Sequence, residues 1–403
     1  MLRKWIKSSA PGKLLEYYDE IQRQRRLSDV GHALLRQNQR GLSTDDPGLS
    51  ASINASLQWL CAAQDRSATQ DGGFARHFSA FDGWGPSYPE TTGYIIPTLI
   101  ECGHRYRRPD LLNRAEKALQ WCERIQLPSG GFQGGTILAD PAIAVTFNTG
   151  QILLGLAAGV REFGNYDHAM RRAADWLVAT QDRDGVWRSH PSPYAAKGEK
   201  TYETHVAWGL IEAARAASDM RYGEAALANI RWALTKQRPN GWFEDCCLTQ
   251  RARPLTHTLG YALRGIVEGY LYCGDRKLLD AARRTADGLI TCLRQDGFLA
   301  GRLNPDWTPA VKWCCLTGNV QIAICWNLLF RITGDERYRG AASRANSFVR
   351  RTMALGVSTD VDGGIQGSFP INGAYGRYKL LNWASKFFID SSVLEQQLQE
   401  QSG

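Results

Sequence analysis

Two histidines and a few carboxylates stand where chain geometry would gather them. His205, in Tyr202-Glu203-Thr204-His205, and His257, in Leu255-Thr256-His257, open successive apolar helices at the same register. Imidazoles at equivalent depths on neighbouring helices can relay a proton, hold an anionic sugar group or bind a metal. Glu90 opens an earlier apolar helix in Tyr88-Pro89-Glu90-Thr91-Thr92-Gly93-Tyr94. Glu244 and Asp245 follow Gly241-Trp242-Phe243 on the loop leading to His257. Cleavage of a glycosidic bond normally needs two carboxyl groups across it, one protonated and one ionised. Glu90 opposite Glu203 or Asp245 is therefore the first candidate pair. Glu90 would protonate the leaving oxygen, Glu203 or Asp245 would activate water or attack carbon, and His205 and His257 would orient carboxylate and sugar. The two imidazoles with Tyr94 fit a second chemistry equally well. There a His or Tyr removes the proton α to a uronate carboxyl, and Arg or Lys neutralises the enediolate, as in an epimerase or lyase.

Sugars present C–H faces that stack on aromatic rings and hydroxyls that require polar partners. On this ground Asp82, Trp84, Tyr88, Tyr94, Trp208, Trp242, Glu244, Arg253, Trp313, Asn319, Arg377, Trp383 and Lys386 are expected to contact substrate. Arg253, Arg377 and Lys386 would meet a uronate, sulfate or phosphate. Each residue has a structural alternative: helix caps for the acids, satisfied buried imidazoles for the histidines, core anchors for the tryptophans and solvation for the cations.

These residues must be held by a repeat. Glycine-centred turns recur at Gly73, Gly131, Gly185, Gly241, Gly297 and Gly364, separated by 58, 54, 56, 56 and 67 residues. An amphipathic helix precedes each turn, and four of these helices carry Trp five positions before Gln: Trp59/Gln64, Trp121/Gln126, Trp176/Gln181 and Trp232/Gln237. The indole is expected to pack inward, with the amide satisfying freed carbonyls at the helix end. A polar loop and a nearly uncharged second helix follow, as expected of an inner layer packed on all sides. The array starts with an unpaired outer helix near 51–64 and ends with an unpaired inner helix near 381–397. Pairing those two closes an all-α (α/α)6 toroid over residues 46–403, with residues 1–45 as a helical extension on its rim.

The repeat resembles the QW repeats of squalene and hopene cyclases and of protein prenyltransferase β-subunits. That resemblance implies the toroid, a fold shared with glycoside hydrolases, uronate-specific enzymes, sugar epimerases and lanthionine cyclases, and so leaves activity open. The terpenoid-cyclase reading lacks a DxDD motif: Asp360-Val361-Asp362-Gly363-Gly364 is the nearest text and coincides with a turn. No cofactor is expected. Zinc is the weaker alternative, resting on incomplete echoes of ligand motifs at Asp245-Cys246-Cys247, His257 and Trp313-Cys314-Cys315. The phrases around Tyr88–Tyr94, Gly367–Pro370 and Asn382–Phe388 resemble toroid proteins associated with bacterial surface-polysaccharide synthesis. The resemblance implies a carbohydrate-active enzyme on a bacterial poly- or oligosaccharide, a hydrolase first and an epimerase or lyase second. A non-catalytic glycan-binding or assembly protein is a further alternative.

Composition narrows the partners. In 403 residues, 48 basic and 40 acidic side chains give a net charge of +8, spread out rather than gathered in a stripe. An acidic glycan is accommodated, and no nucleic-acid partner is expected. Neither a GxxxxGK[ST] loop nor a strand followed by GxGxxG occurs, which argues against kinases and nucleotide-dependent redox enzymes. The basic N-terminus lacks an apolar h-region and the longest apolar run is ILLGLAAGV, so no secretion signal or transmembrane helix is expected. Ten cysteines, several inside helices such as Cys61, Cys102, Cys122 and Cys325, suit a reducing cytoplasm. Oligomeric state is left open.

Overall fold

An outer helix, a tight turn, a polar loop and an inner helix recur six times. The computed structural model describes residues 10–402, with side chains over 16–401. The outer helices are α3 (Leu49–Asp65), α5 (Pro109–Ile125), α7 (Asp167–Thr180), α9 (Met220–Leu234), α11 (Arg276–Thr291) and α13 (Glu336–Arg350). The inner helices are α4 (Pro89–Arg105), α6 (Thr146–Phe163), α8 (Thr204–Ala217), α10 (Thr256–Cys273), α12 (Leu316–Thr333) and α14 (Asn382–Ser402). Patterning assigns the layers. In α11 the buried residues Leu278, Ala281, Ala282, Thr285 and Leu289 form one stripe, whereas α6 is buried continuously from Thr146 to Gly159.

The inner helices pack in sequence around the ring, and α14 returns to α4. The last inner helix also packs on α3, the first outer helix, so the ends of the array complete the sixth pair. A small sheet reinforces this seam. β1 (His77–Ser79) lies between β2 (Gly83–Trp84) and β5 (Lys379–Leu381), with Phe78 opposite Leu380. Ser56 Oγ donates to the Gly363 carbonyl at 2.6 Å, and Trp59 Nε1 donates to that of Asp360 at 2.9 Å. A second pair, β3 (Cys314–Cys315) and β4 (Ser368–Phe369), ties the last two loops.

The turn glycines permit contact between backbones. Gly241 has φ +84°, and a Cβ there would lie 2.4 Å from the Arg284 backbone on the next outer helix. Gly363 has φ +83° and abuts Ala55 O of α3 at 2.2 Å by the same measure, which closes the ring. In the three paired-glycine turns the left-handed residue is the first of the pair, Gly72, Gly130 or Gly363, rather than the second. The glutamines then brace the turns: Gln181 Nε2 donates to Gly185 O at 3.0 Å and to Ala225 O of the next outer helix at 2.9 Å. Gln64 and Gln126 make equivalent paired bonds, whereas Gln237 Nε2 donates to Ala281 O and Thr285 Oγ1 of the next outer helix and Thr285 Oγ1 in turn donates to Gly241 O. The tryptophans are less uniform than their spacing suggests. Trp59 and Trp121 are fully buried, whereas Trp176 and Trp232 are half-buried on the outer wall.

Before the array, α1 (Ala10–Gln24) and α2 (Asp29–Gln39) touch the first and last loops. Ser28 caps α2 by accepting from Gly31 N, and its Oγ donates to Ala80 O at 2.9 Å. Asn38 Oδ1 accepts from Ile371 N at 2.8 Å. Residues 1–9 of the expected extension lie outside the described residues. No helix among the described residues is long and apolar enough to cross a membrane.

Replacing Gln181 with Ala removes both bridging bonds while leaving the central cavity intact. Urea unfolding is expected to show a loss of about 1–3 kcal/mol.

Candidate active site at the mouth of the ring

The inner helices begin around one mouth because each start is pinned to a turn. Thr92 Oγ1 accepts from Phe74 N at 3.0 Å and Thr149 Oγ1 from Phe132 N at 2.9 Å. Asn382 Nδ2 donates to Ala75 O at 2.9 Å and to Thr91 Oγ1 at 2.7 Å, which fixes α14 beside the start of α4. These bonds place Glu90, Tyr94, Phe147, His257, Tyr261 and Trp383 around a cavity of about 240 Å³. Loop residues Arg76, Tyr88, Ser192, Tyr194, Tyr202, Leu248 and Tyr375 complete its wall with Thr258.

Glu90 sits in the first turn of α4, where the helix dipole favours ionisation. Burial outweighs that effect and pushes its pKa up to about 7, against the Tyr88 hydroxyl at 3.2 Å and the Arg76 guanidinium. The Arg76 guanidinium carbon stands 5.3 Å from the centre of the Tyr88 ring and 5.4 Å from that of Trp383. Arg76 makes no ion pair among the described residues.

The two imidazoles share one arrangement. His257 Nδ1 lies 2.7 Å from Gln321 Oε1, so Nδ1–H donates and Nε2 keeps its lone pair. Burial brings its pKa down to about 4, against the opposing pull of Gln321, and the ring is neutral at physiological pH. His205 Nδ1 meets Gln151 Oε1 at 2.6 Å, and burial with nearby Arg264, Lys386 and His257 also keeps it neutral. Tyr261 stands between them, its ring 4.4 Å from each. His257 faces the cavity, whereas His205 lies behind Tyr261. The Tyr94 hydroxyl is buried beside Tyr261 without a well-aligned partner.

Glu203 ends the 3₁₀ turn Thr201–Glu203 ahead of α8. It lines a second cavity of about 450 Å³, which meets the central one at Phe147, Ser192 and Tyr202. Burial raises its pKa to about 8, opposed by Lys200, and its Oε2 is buried without a partner. The two cavities together have the size of small-molecule sites, roughly 300–1,000 Å³.

The central cavity thus gathers Tyr88, Glu90, Tyr94, His257 and Trp383 from the expected set. The other residues go elsewhere, for identifiable reasons. Asp245 pairs with Arg251 and, at 3.8 Å, with Lys236, and it does not line the cavity that holds Glu90. Glu244 pairs with Arg238. Trp84 packs on Trp59 and donates to Asp360 Oδ1 at 2.8 Å, so it is no exposed platform. Trp242 is buried against Trp307, Trp313 covers Gly301 and Gly373, and Asn319 spends its amide on Gly297 O and Ala345 O. Asp82 borders an outer groove beside Arg23 and Arg26, Arg253 is exposed, and Arg377 lies 3.7 Å from Glu20. Lys386 and Trp208 sit one helical turn below the mouth. There Lys386 Nζ donates to Asp390 at 2.6 Å, and the Arg264 guanidinium stacks 4.1 Å from the Trp208 ring centre.

Arg76, Phe147, Tyr194, Tyr202, Tyr261 and Tyr375 were not among the expected site residues. Tyr261 carried a usable signal, lying four residues after His257 on one helix face. Gln151 and Gln321 carried another, as amides inside otherwise apolar helices that must find buried partners. Arg76 and Tyr375 arrive on loops and had none. Among the described residues no three His, Cys, Asp or Glu side chains converge as metal ligands do.

A raised carboxyl pKa makes a prediction about stability. Folded Glu203 keeps a proton that the unfolded chain releases above about pH 4.5, so stability falls as pH rises from there to about 8. Glu203→Gln is expected to flatten this fall, and chemical denaturation at pH 4 and pH 9 should show a gain over wild type only at the higher pH.

The comparisons with known proteins follow two lines. The family model described as the squalene-hopene cyclase C-terminal domain matches residues 86–267. Lanosterol synthase of Pneumocystis carinii is 28% identical over 178 residues, which cover 40% of this chain and 22% of that enzyme. The chain therefore spans about a fifth of that relative's length. Among solved structures, an unsaturated glucuronyl hydrolase specific for heparin superposes with a TM-score of 0.69 at 15% identity, covering 87% of this chain and 98% of that one. Cellobiose 2-epimerase from Bacillus thermoamylovorans gives 0.67 at 12% identity, covering 85% and 98%. The chain is an all-α toroid, related in fold both to terpenoid cyclases and to toroidal sugar enzymes.

Proposed function

We propose that this protein is a carbohydrate-active enzyme that moves a proton at a carbon of an acidic sugar, in the manner of an epimerase or lyase. One observation carries the reading. A single cavity holds a neutral imidazole with an open Nε2, a carboxyl whose pKa burial lifts to about 7 and a guanidinium that makes no ion pair among the described residues. Arg76 would hold the uronate carboxylate and steady the charge that develops on it. His257 Nε2 would take the α-proton, and the C–H electron pair would pass into the enediolate. Glu90 would return a proton to carbon for epimerisation, or give it to the leaving oxygen as the C–O bond breaks in elimination. The toroidal neighbours named for glucuronyl hydrolysis and cellobiose epimerisation support the substrate class by analogy of fold.

Hydrolysis by paired carboxylates finds only Glu90 in the central cavity and would draw its partner, Glu203, from the adjoining one. A scaffold without chemistry is the poorer reading, since shifted acids and imidazoles cluster at functional sites. Proton-initiated terpenoid cyclisation has one specific observation in its favour. The cyclase match spans the segment bearing Glu90 and His257, whose cavity has eight aromatic walls suited to carbocations. Against it, Arg76 would repel a carbocation and the free Nε2 of His257 would deprotonate it early.

Incubation with uronides in water enriched in deuterium and oxygen-18, followed by mass spectrometry, separates these chemistries. Non-exchangeable deuterium at carbon, or an unsaturated product, is expected; fragments carrying oxygen-18 would move the assignment to hydrolysis. Activity should fall below about pH 4 as His257 protonates and above about pH 7 as Glu90 ionises. His257→Ala should lower kcat about 100- to 10,000-fold. Gln321→Leu should cost less, and should move the acidic limb of the pH profile by releasing the imidazole tautomer.

A further inference from the structure

The second cavity contains two groups whose bonding is incomplete. Lys200 is only 5% exposed and lines this cavity, and it makes no ion pair or side-chain hydrogen bond among the described residues. Glu203 is equally buried, and its Oε2 has no partner. Two of the charges around them are committed elsewhere: Arg188 binds Asp182, Asp184 and Glu199, and Glu199 also binds Lys236 at 3.0 Å. Lys197, exposed at the same cavity, adds a second cation without an ion pair among the described residues. Lys200 acts on Glu203 through space but forms no ion pair with it, and a buried cationic side chain without a bonded partner at a cavity wall points to an anion supplied from outside. Trp187 and Tyr202 supply apolar faces of the kind on which a sugar ring stacks. The cavity adjoins the central one, sharing Phe147, Ser192 and Tyr202 with it.

We propose that this cavity is a second subsite, which takes a carboxylate-bearing sugar joined to the one that reacts, so that the substrate is an acidic oligosaccharide of at least two units. Lys200 Nζ pairs with the carboxylate of the second unit, and the Glu203 carboxyl donates a hydrogen bond to it. Phe147 and Tyr202, whose ring centres are 5.4 Å apart, flank the linkage between the units. The inference rests on the central cavity being the reacting sugar's site, and it adds chain length and a second charge to that substrate.

Isothermal titration with uronic-acid monomers, the matching dimers and carboxyl-reduced dimers tests it. Wild type is expected to bind an acidic dimer at least about tenfold tighter than its monomer, and the reduced dimer no better than the monomer. Lys200→Met should collapse the dimer-to-monomer ratio toward one. Ser192→Trp, which blocks the junction from a loop, should do the same if Lys200→Met fails to fold. A ratio that survives both substitutions, or that is absent in wild type, overturns the subsite. Dimer preference without deuterium incorporation would retain the subsite and defeat the proposed reaction. Incorporation into monomer without dimer preference would do the reverse.

Discussion

Backbone-to-backbone contact at the repeat turns is the constraint on which the rest of the structure depends. Gly185, Gly241, Gly297 and Gly363 each bring a left-handed turn against the backbone of the next outer helix, at distances that exclude a Cβ. Each contact sets how far one hairpin is rotated from the next. The ring closes because the last of them, at Gly363, meets α3 with the same geometry. The inner wall follows the same rule, since a Cβ on Gly155 would lie 2.3 Å from Gly93 O. Close inner helices narrow the axis, leaving a cavity of about 240 Å³ where the helices begin and a smaller one of about 140 Å³ further along them, beside Lys386 and Asp390.

That arrangement creates the electrostatics of the site. The mouth is walled by rings and by the first turns of apolar helices, so ionisable groups there lose water and gain only neutral hydrogen-bond partners such as Tyr88, Gln321 and Gln151, which do not offset the burial. Burial lifts Glu90 and Glu203 and depresses His205 and His257, giving proton donors and neutral bases side by side. One turn lower the same fold treats charge differently. Arg264 pairs with Glu268 and Lys386 with Asp390, each four residues along its own helix. Those pairs place positive charge behind His205, which reinforces its neutral form.

The cations at the cavity walls differ from the ion-paired ones at the surface. Arg188 and Arg337, for example, each have a carboxylate within a few residues. Arg76 and Lys200 make no ion pair among the described residues, and each lines one of the two joined cavities. A ligand with anionic groups at matching spacing would satisfy both, which is the common physical basis of the reaction and the subsite argued above.

The toroid itself was legible in the chain. Its period of about 55 residues, the switch from amphipathic to uniformly apolar helices and the unpaired elements at each end are local properties of composition and spacing. The first turns of the inner helices were legible for the same reason, so Tyr88, Glu90, Tyr94, His257 and Trp383 could be placed at one mouth. Tertiary structure alone decided the directions of loop side chains. Asp245 is buried against Arg251 and Lys236 away from the cavity, Trp84 is drawn into the seam by Trp59 and Asp360, and Arg76 and Tyr375 enter the cavity from loops without periodicity. Helical spacing fixes a side chain's direction from its neighbours in sequence. A loop side chain is aimed by contacts tens or hundreds of residues away, and those exist only once the ring has closed.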